Sequence, residues 1–123
     1  MMARILVVDD ETIVCDVLKD FFTLKGHEVH TALNGQAAIA KVKTERPHIV
    51  LLDILMPGMR GLKVLEEIKR LDPKLCVIMI TGFMNQDLVK EAIALGAYDY
   101  ITKPVDFEYL ESVLIAKISD LLG

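Results

Sequence analysis

Three short runs, Ile5-Leu6-Val7-Val8, Ile49-Val50-Leu51-Leu52 and Cys76-Val77-Ile78-Met79-Ile80, are apolar at every position. A strand with one face in water alternates polar and apolar residues. Unbroken runs of four or five therefore mean burial on both faces, the condition of a parallel sheet covered by helices. Weaker strands are predicted at 28–32 and 98–101, and amphipathic spacing predicts helices over 11–25, 36–45, 62–71, 86–95 and 107–122. Gly26 and Gly96 stand where helix C-termini need them, Asn34-Gly35 opens the second helix, and Pro47 and Pro73 follow helices they could not continue. The order is (βα)5. Right-handed crossovers with helices on both faces then give an α/β fold, an open, doubly wound, five-stranded parallel sheet.

The chain has 123 residues, the size of one domain, and 53% are hydrophobic, enough for one core. Its net charge of −4 disfavours direct binding to nucleic acid. Cys15 and Cys76 form no CxxC pair and read as reduced core residues. No apolar stretch is long enough to span a membrane, so a soluble, cytoplasmic protein is expected with no membrane partner.

In open α/β sheets, ligands bind beyond the carboxyl ends of the strands. Here the first strand ends at Asp9-Asp10, the third at Asp53 and the fourth at Thr81, and the fifth is followed by Lys103-Pro104. Three carboxylates, a hydroxyl and an ammonium should therefore share one edge. Two unit charges about 4 Å apart repel by roughly 4 kcal/mol at an effective dielectric near 20, so the carboxylates call for a cation. An all-oxygen, hydrated site suits Mg²⁺, for which Mn²⁺ would substitute.

These residues, with the loop Met56-Pro57-Gly58-Met59-Arg60-Gly61 and the pair Thr81-Gly82, resemble the receiver domains of two-component response regulators over the whole chain, 1–123. The resemblance implies the flavodoxin-like strand order 2-1-3-4-5. It implies that Asp53 accepts a phosphoryl group from a phosphohistidine on a sensor kinase or phosphotransfer protein, that Asp10 and Asp53 bind Mg²⁺ directly with Asp9 acting mainly through water, and that the Leu55 carbonyl is a third protein ligand. Thr81 and Lys103 would contact phosphoryl oxygens, Gly82 would leave room for them, and a cis Lys103–Pro104 bond would aim the lysine. Tyr100 would swing from exposed to inward as Thr81 moves, reshaping the fourth helix, fifth strand and fifth helix for an output domain or target protein. No separate substrate would be turned over; the chemistry is self-phosphorylation and autodephosphorylation.

Leu55 and Phe83 are apolar where a polar side chain could hold an attacking water, so a long-lived phosphorylated form is expected. Ile13 and Val14 on the first helix are expected kinase contacts. Broad apolar faces on the last two helices read as core, with a phosphorylation-linked homodimer as the alternative. Asp10 alone could be a helix N-cap and Lys103 a surface lysine; their register with Asp53 and Thr81 argues otherwise. His27, His30 and His48 read as structural rather than as metal ligands or phosphohistidines. Met56 and Met59 flank the acceptor loop, where mobility is useful. A dehalogenase-like phosphatase would want an aspartate at 55, and a flavodoxin-like nucleotide binder would not place Asp9-Asp10-Glu11 in its phosphate loop. An interaction module that is never phosphorylated, and a fragment of a longer regulator as against a stand-alone protein, stay open.

Overall fold

The computed structural model describes residues 2–56, 58–82 and 85–122. Five strands alternate with five helices: β1 (Arg4–Val8), α1 (Thr12–Leu24), β2 (Glu28–Ala32), α2 (Gly35–Glu45), β3 (Ile49–Leu52), α3 (Gly61–Leu71), β4 (Cys76–Thr81), α4 (Gln86–Ala94), β5 (Asp99–Thr102) and α5 (Phe107–Leu122). All neighbouring strands are parallel, in the order β2-β1-β3-β4-β5. The three apolar runs are the three central strands, as double-sided burial requires.

Alternation along those strands divides the core in two. Leu6, Val8, Val50, Leu52, Val77 and Met79 pack with α2, α3 and α4. Ile5, Val7, Ile49, Leu51, Ile78 and Ile80 pack with α1 and α5 through Cys15, Leu18, Phe22, Leu110, Leu114 and Ile118. Each fully buried aliphatic side chain is worth about 1.5–3 kcal/mol, so the two layers clamp the central strands and hold their ends in place.

The helix ends show why the punctuation was readable. Gly26 and Gly96 adopt φ of +91° and +105° just past α1 and α4, and the amides that follow, on His27 and Ala97, return to Phe22 and Ala92. Asn34 and Asn85 cap α2 and α4 with side-chain oxygens. The exception is α2, which ends on Arg46 in the left-handed region at φ 48°, a conformation that its sequence does not advertise. Two side-chain readings also shift. Val14 packs against the α1–α5 core, leaving Ile13, at 77% exposure, as the free apolar residue of that pair. Met56 is buried and Met59 leans on the other core layer, so both anchor the acceptor loop instead of loosening it.

Candidate functional site

The ladder hydrogen bonds run one residue past the apolar strands. Asp9 N–H donates to the Ala32 carbonyl at 3.1 Å, Asp53 N–H to Val8 at 3.0 Å and Lys103 N–H to Thr81 at 2.8 Å. Since Val8 lies opposite Leu52 and Thr81 opposite Thr102, these bonds set Asp9 beside Asp53 and Lys103 beside Thr81. Asp9, Asp53 and Thr81 are nevertheless buried, at 3%, 5% and 0% exposure, while Asp10 faces water.

One carboxylate oxygen from each of Asp9, Asp10 and Asp53 lies within 4.8 Å of the others. The donors are all hard oxygens, and one of them is open to water, which fits a hydrated Mg²⁺ held by few protein ligands. Asp10 is not spent on helix capping: the N-cap of α1 is Glu11, with no side-chain cap bond. The amide of Glu11 is bonded instead by Asp9 Oδ1 at 2.9 Å.

Lys103 Nζ supplies a positive charge from within the site. It lies 2.7 Å from Asp9 Oδ2, 3.4 Å from Asp53 Oδ2 and 3.7 Å from Glu11 Oε1. The lysine thus sits closer to Asp9 than to the expected acceptor. Asp53 has other donors: the Leu55 amide reaches its Oδ1 at 3.2 Å, and the Thr81 hydroxyl bonds to its carboxylate. Burial and the neighbouring Asp9 charge push the Asp53 pKa up, against the pull of Lys103, the Leu55 amide and Thr81. Burial pulls Lys103 down, but its bond to Asp9 and the charges of Asp53 and Asp9 outweigh that and leave it raised. The ammonium therefore stays charged.

Lys103–Pro104 is cis. The Leu55 side chain is half exposed, and among the described residues outside its chain neighbours none comes within 4 Å of where a Cβ on Gly82 would stand. Pro57 and Phe83 lie outside the described residues. Tyr100 is half-buried rather than exposed: it packs against the α2–α3–α4 layer, on the face of the sheet that carries Met79 and, two residues further along β4, Thr81. Burial, with Asp53 adding to it, raises the Tyr100 pKa.

Three contributors have no site role of their own in the sequence reading. Glu11 is a third carboxylate on Lys103. Cys15 Sγ donates to the Asp9 carbonyl at 3.4 Å, and burial pushes this thiol up to about 11, so it stays a protonated donor. Gly61 opens α3 so close to Asp53 that a Cβ there would fall 2.1 Å from the Asp53 carbonyl oxygen. Only the glycine carried a readable signal, as part of the acceptor loop.

Fold and site together define a flavodoxin-like α/β protein whose carboxyl edge gathers acidic oxygens, a hydroxyl and a lysine around one buried aspartate. Residues 5–115 match the response regulator receiver domain. The chain is 42% identical to the chemotaxis protein CheY of Thermotoga maritima over 105 residues, covering 85% of this chain and 88% of that one. It is 39% identical to the regulatory protein AtoC of Escherichia coli K12 over 111 residues, 90% of this chain but 24% of AtoC, so it spans about a quarter of that relative's length. The crystal structure of a CheY-like receiver domain protein from Methanospirillum hungatei superposes with a TM-score of 0.93 at 32% identity, covering 98% of this chain and 96% of that one. The chain belongs to the receiver domain family of two-component response regulators, which are signalling modules rather than enzymes that turn over a substrate. Among the described residues, no helix is long and apolar enough to cross a membrane.

Proposed function

We propose that residues 1–123 act as one phosphoacceptor module, in which Asp53 takes a phosphoryl group from a phosphohistidine of a sensor kinase or phosphotransfer protein. A carboxylate oxygen of Asp53 bonds to phosphorus as the phosphorus–nitrogen bond breaks, and the electron pair of that bond stays on the imidazole. The observation that carries this reading is the placement of Asp53: a buried carboxylate between Asp9, Thr81 and Lys103, beside an exposed Asp10.

Asp10 and Asp53, with Asp9 and the Leu55 carbonyl, would hold Mg²⁺. When bound, the ion neutralises the carboxylates and the charge that gathers on the transferred oxygens. Lys103 keeps its proton and pairs with one phosphoryl oxygen, and the Thr81 hydroxyl donates to another. Phosphoryl transfer spreads charge over those oxygens, so preplaced donors of this kind supply most of the catalysis. Gly82 leaves room for the group.

A phosphoryl group adds roughly −1.5 to −2 charges and three acceptor oxygens. Thr81 is drawn toward it, Tyr100 follows on the same sheet face, and the surface of α4, β5 and α5 changes for an output domain, a target protein or a second copy of the chain. A full swing from 1:99 to 99:1 needs about 5.5 kcal/mol, more than a few such contacts supply, so partial switching is expected. Ile13, exposed on α1, would meet the kinase. The apolar Leu55 holds no water for hydrolysis, so autodephosphorylation is slow.

The test is incubation with acetyl phosphate and Mg²⁺ followed by intact mass. One phosphoryl group should be gained, and none by Asp53→Ala or without divalent metal; a gain that survives Asp53→Ala overturns the assignment.

A further inference from the structure

At the opposite end of the sheet from Asp53, a second set of ligand atoms converges. Glu28 and His30 stand two apart on the edge strand β2, so both point to the face on which Ala32 meets α2. Glu45, the last residue of α2, comes down onto them. His30 Nε2 lies 3.0 Å from Glu28 Oε2 and 3.6 Å from Glu45 Oε2, and one donor atom from each residue lies within 4.8 Å of the others.

We propose that Glu28, His30 and Glu45 form a binding site for a divalent transition metal of the zinc class. The donor set is one imidazole nitrogen and two carboxylate oxygens, which suits a borderline cation and not Mg²⁺. With neutral His30 the three carry two negative charges, matching a divalent ion. Bonds of about 2.1 Å in a tetrahedron separate neighbouring donors by about 3.4 Å. The two nitrogen–oxygen distances already bracket that value, and the carboxylates need close by no more than about 1.4 Å, which the partly exposed glutamates can do by rotation.

A second observation points to a cation. Among the described residues, the ion pairs of both Glu28 and Glu45 are with His30 alone, so two nearby carboxylates share one histidine and no lysine or arginine. Arg4, opposite Glu28 across the β1–β2 register, spends its Nε on the Arg46 carbonyl at 3.0 Å. A metal here would tie the edge strand to the last turn of α2 and keep its remaining coordination positions open to water.

Zinc titrated into the whole chain under saturating Mg²⁺ should bind at one equivalent per chain. His30→Gln and Glu45→Gln should each weaken it at least tenfold, and the ring signals of His30, but not those of His27 or His48, should shift in nitrogen–proton correlation spectra. Zinc that Mg²⁺ displaces, zinc that binds His30→Gln as well as the parent, or no binding at all would each overturn the site and leave a histidine–carboxylate pair.

Discussion

Replacing Gly61 by alanine should slow phosphorylation of Asp53 about a hundredfold in a protein that still folds. The added Cβ would stand 2.1 Å from the Asp53 carbonyl oxygen and 2.6 Å from the Ile54 Cα, both backbone atoms with no side-chain freedom to yield. Gly61 cannot back away, because its N–H is bonded to the Ile54 carbonyl at 2.8 Å. Relief to ordinary contact moves the chain by about 1 Å, directly at the acceptor. Overpacking of this kind costs about 1–3 kcal/mol, within the roughly 5–15 kcal/mol that holds a domain together, so urea unfolding should show a weakened but cooperative fold. A misplacement of about 1 Å at a reacting group can cost about a hundredfold in rate. The assay is the initial rate of phosphoryl gain with acetyl phosphate and saturating Mg²⁺, read by intact mass beside the unfolding curve. A folded Gly61→Ala protein that is phosphorylated at the parent rate would show that Asp53 needs no such positioning, and would refute the reasoning.

The amides of Ala3 and Arg4 are accepted by Nδ1 of His27 at 3.0 Å and of His48 at 2.9 Å, so both rings must be neutral there. Burial lowers both pKa values, with Arg4 adding to the effect at His48, while Glu111 and Glu28 oppose it. This stability is present in full above the unfolded histidine value near 6.5 and is lost as pH falls through the lowered folded values. Stability should therefore fall as the pH is taken from 8 to 5 and both rings take up protons. His27→Asn with His48→Asn should flatten that slope in urea melts; an unchanged slope would contradict the assignment. Leu55→Asn should speed autodephosphorylation by giving water a hydrogen-bonding partner, and a slower phosphate loss would contradict the role given to Leu55. Lys103→Met should cut the phosphorylation rate on the order of a hundredfold. It should also raise the thermal stabilisation gained from Mg²⁺, since Asp9 and Asp53 lose their shared ammonium; an equal gain in parent and variant would argue against a shared cation site.

The sheet was legible because its signal is local. Val50 and Leu52 face one helix layer, Ile49 and Leu51 the other, and a run with no polar residue can satisfy both only at the centre of a sheet. The strand ends were legible for the same reason, since each polar residue follows an apolar run directly. Distances between those ends were not. That Lys103 lies on Asp9 before Asp53 depends on how the Leu55 amide and the Thr81 hydroxyl occupy Asp53, which no spacing encodes. Nor could periodicity separate Val14 from Ile13, because the packing of α1 against α5 decides which of two adjacent apolar residues is covered. The histidines read as structural, but the partners that make them so lie far off in the chain. His27 and His48 bond to residues 24 and 44 positions away, and His30 meets Glu45 only through the closure of α2 over β2.

The central claim is that the acceptor is Asp53 and no other carboxylate of the acidic edge. Borohydride reduction of the phosphorylated chain converts an acyl phosphate to an alcohol, and peptide mass mapping then reads the residue. Homoserine at position 53, absent when Mg²⁺ is withheld, is the expected result. Homoserine at position 9 or 10, or an unreduced Asp53 in a chain that has gained a phosphoryl group, would contradict it.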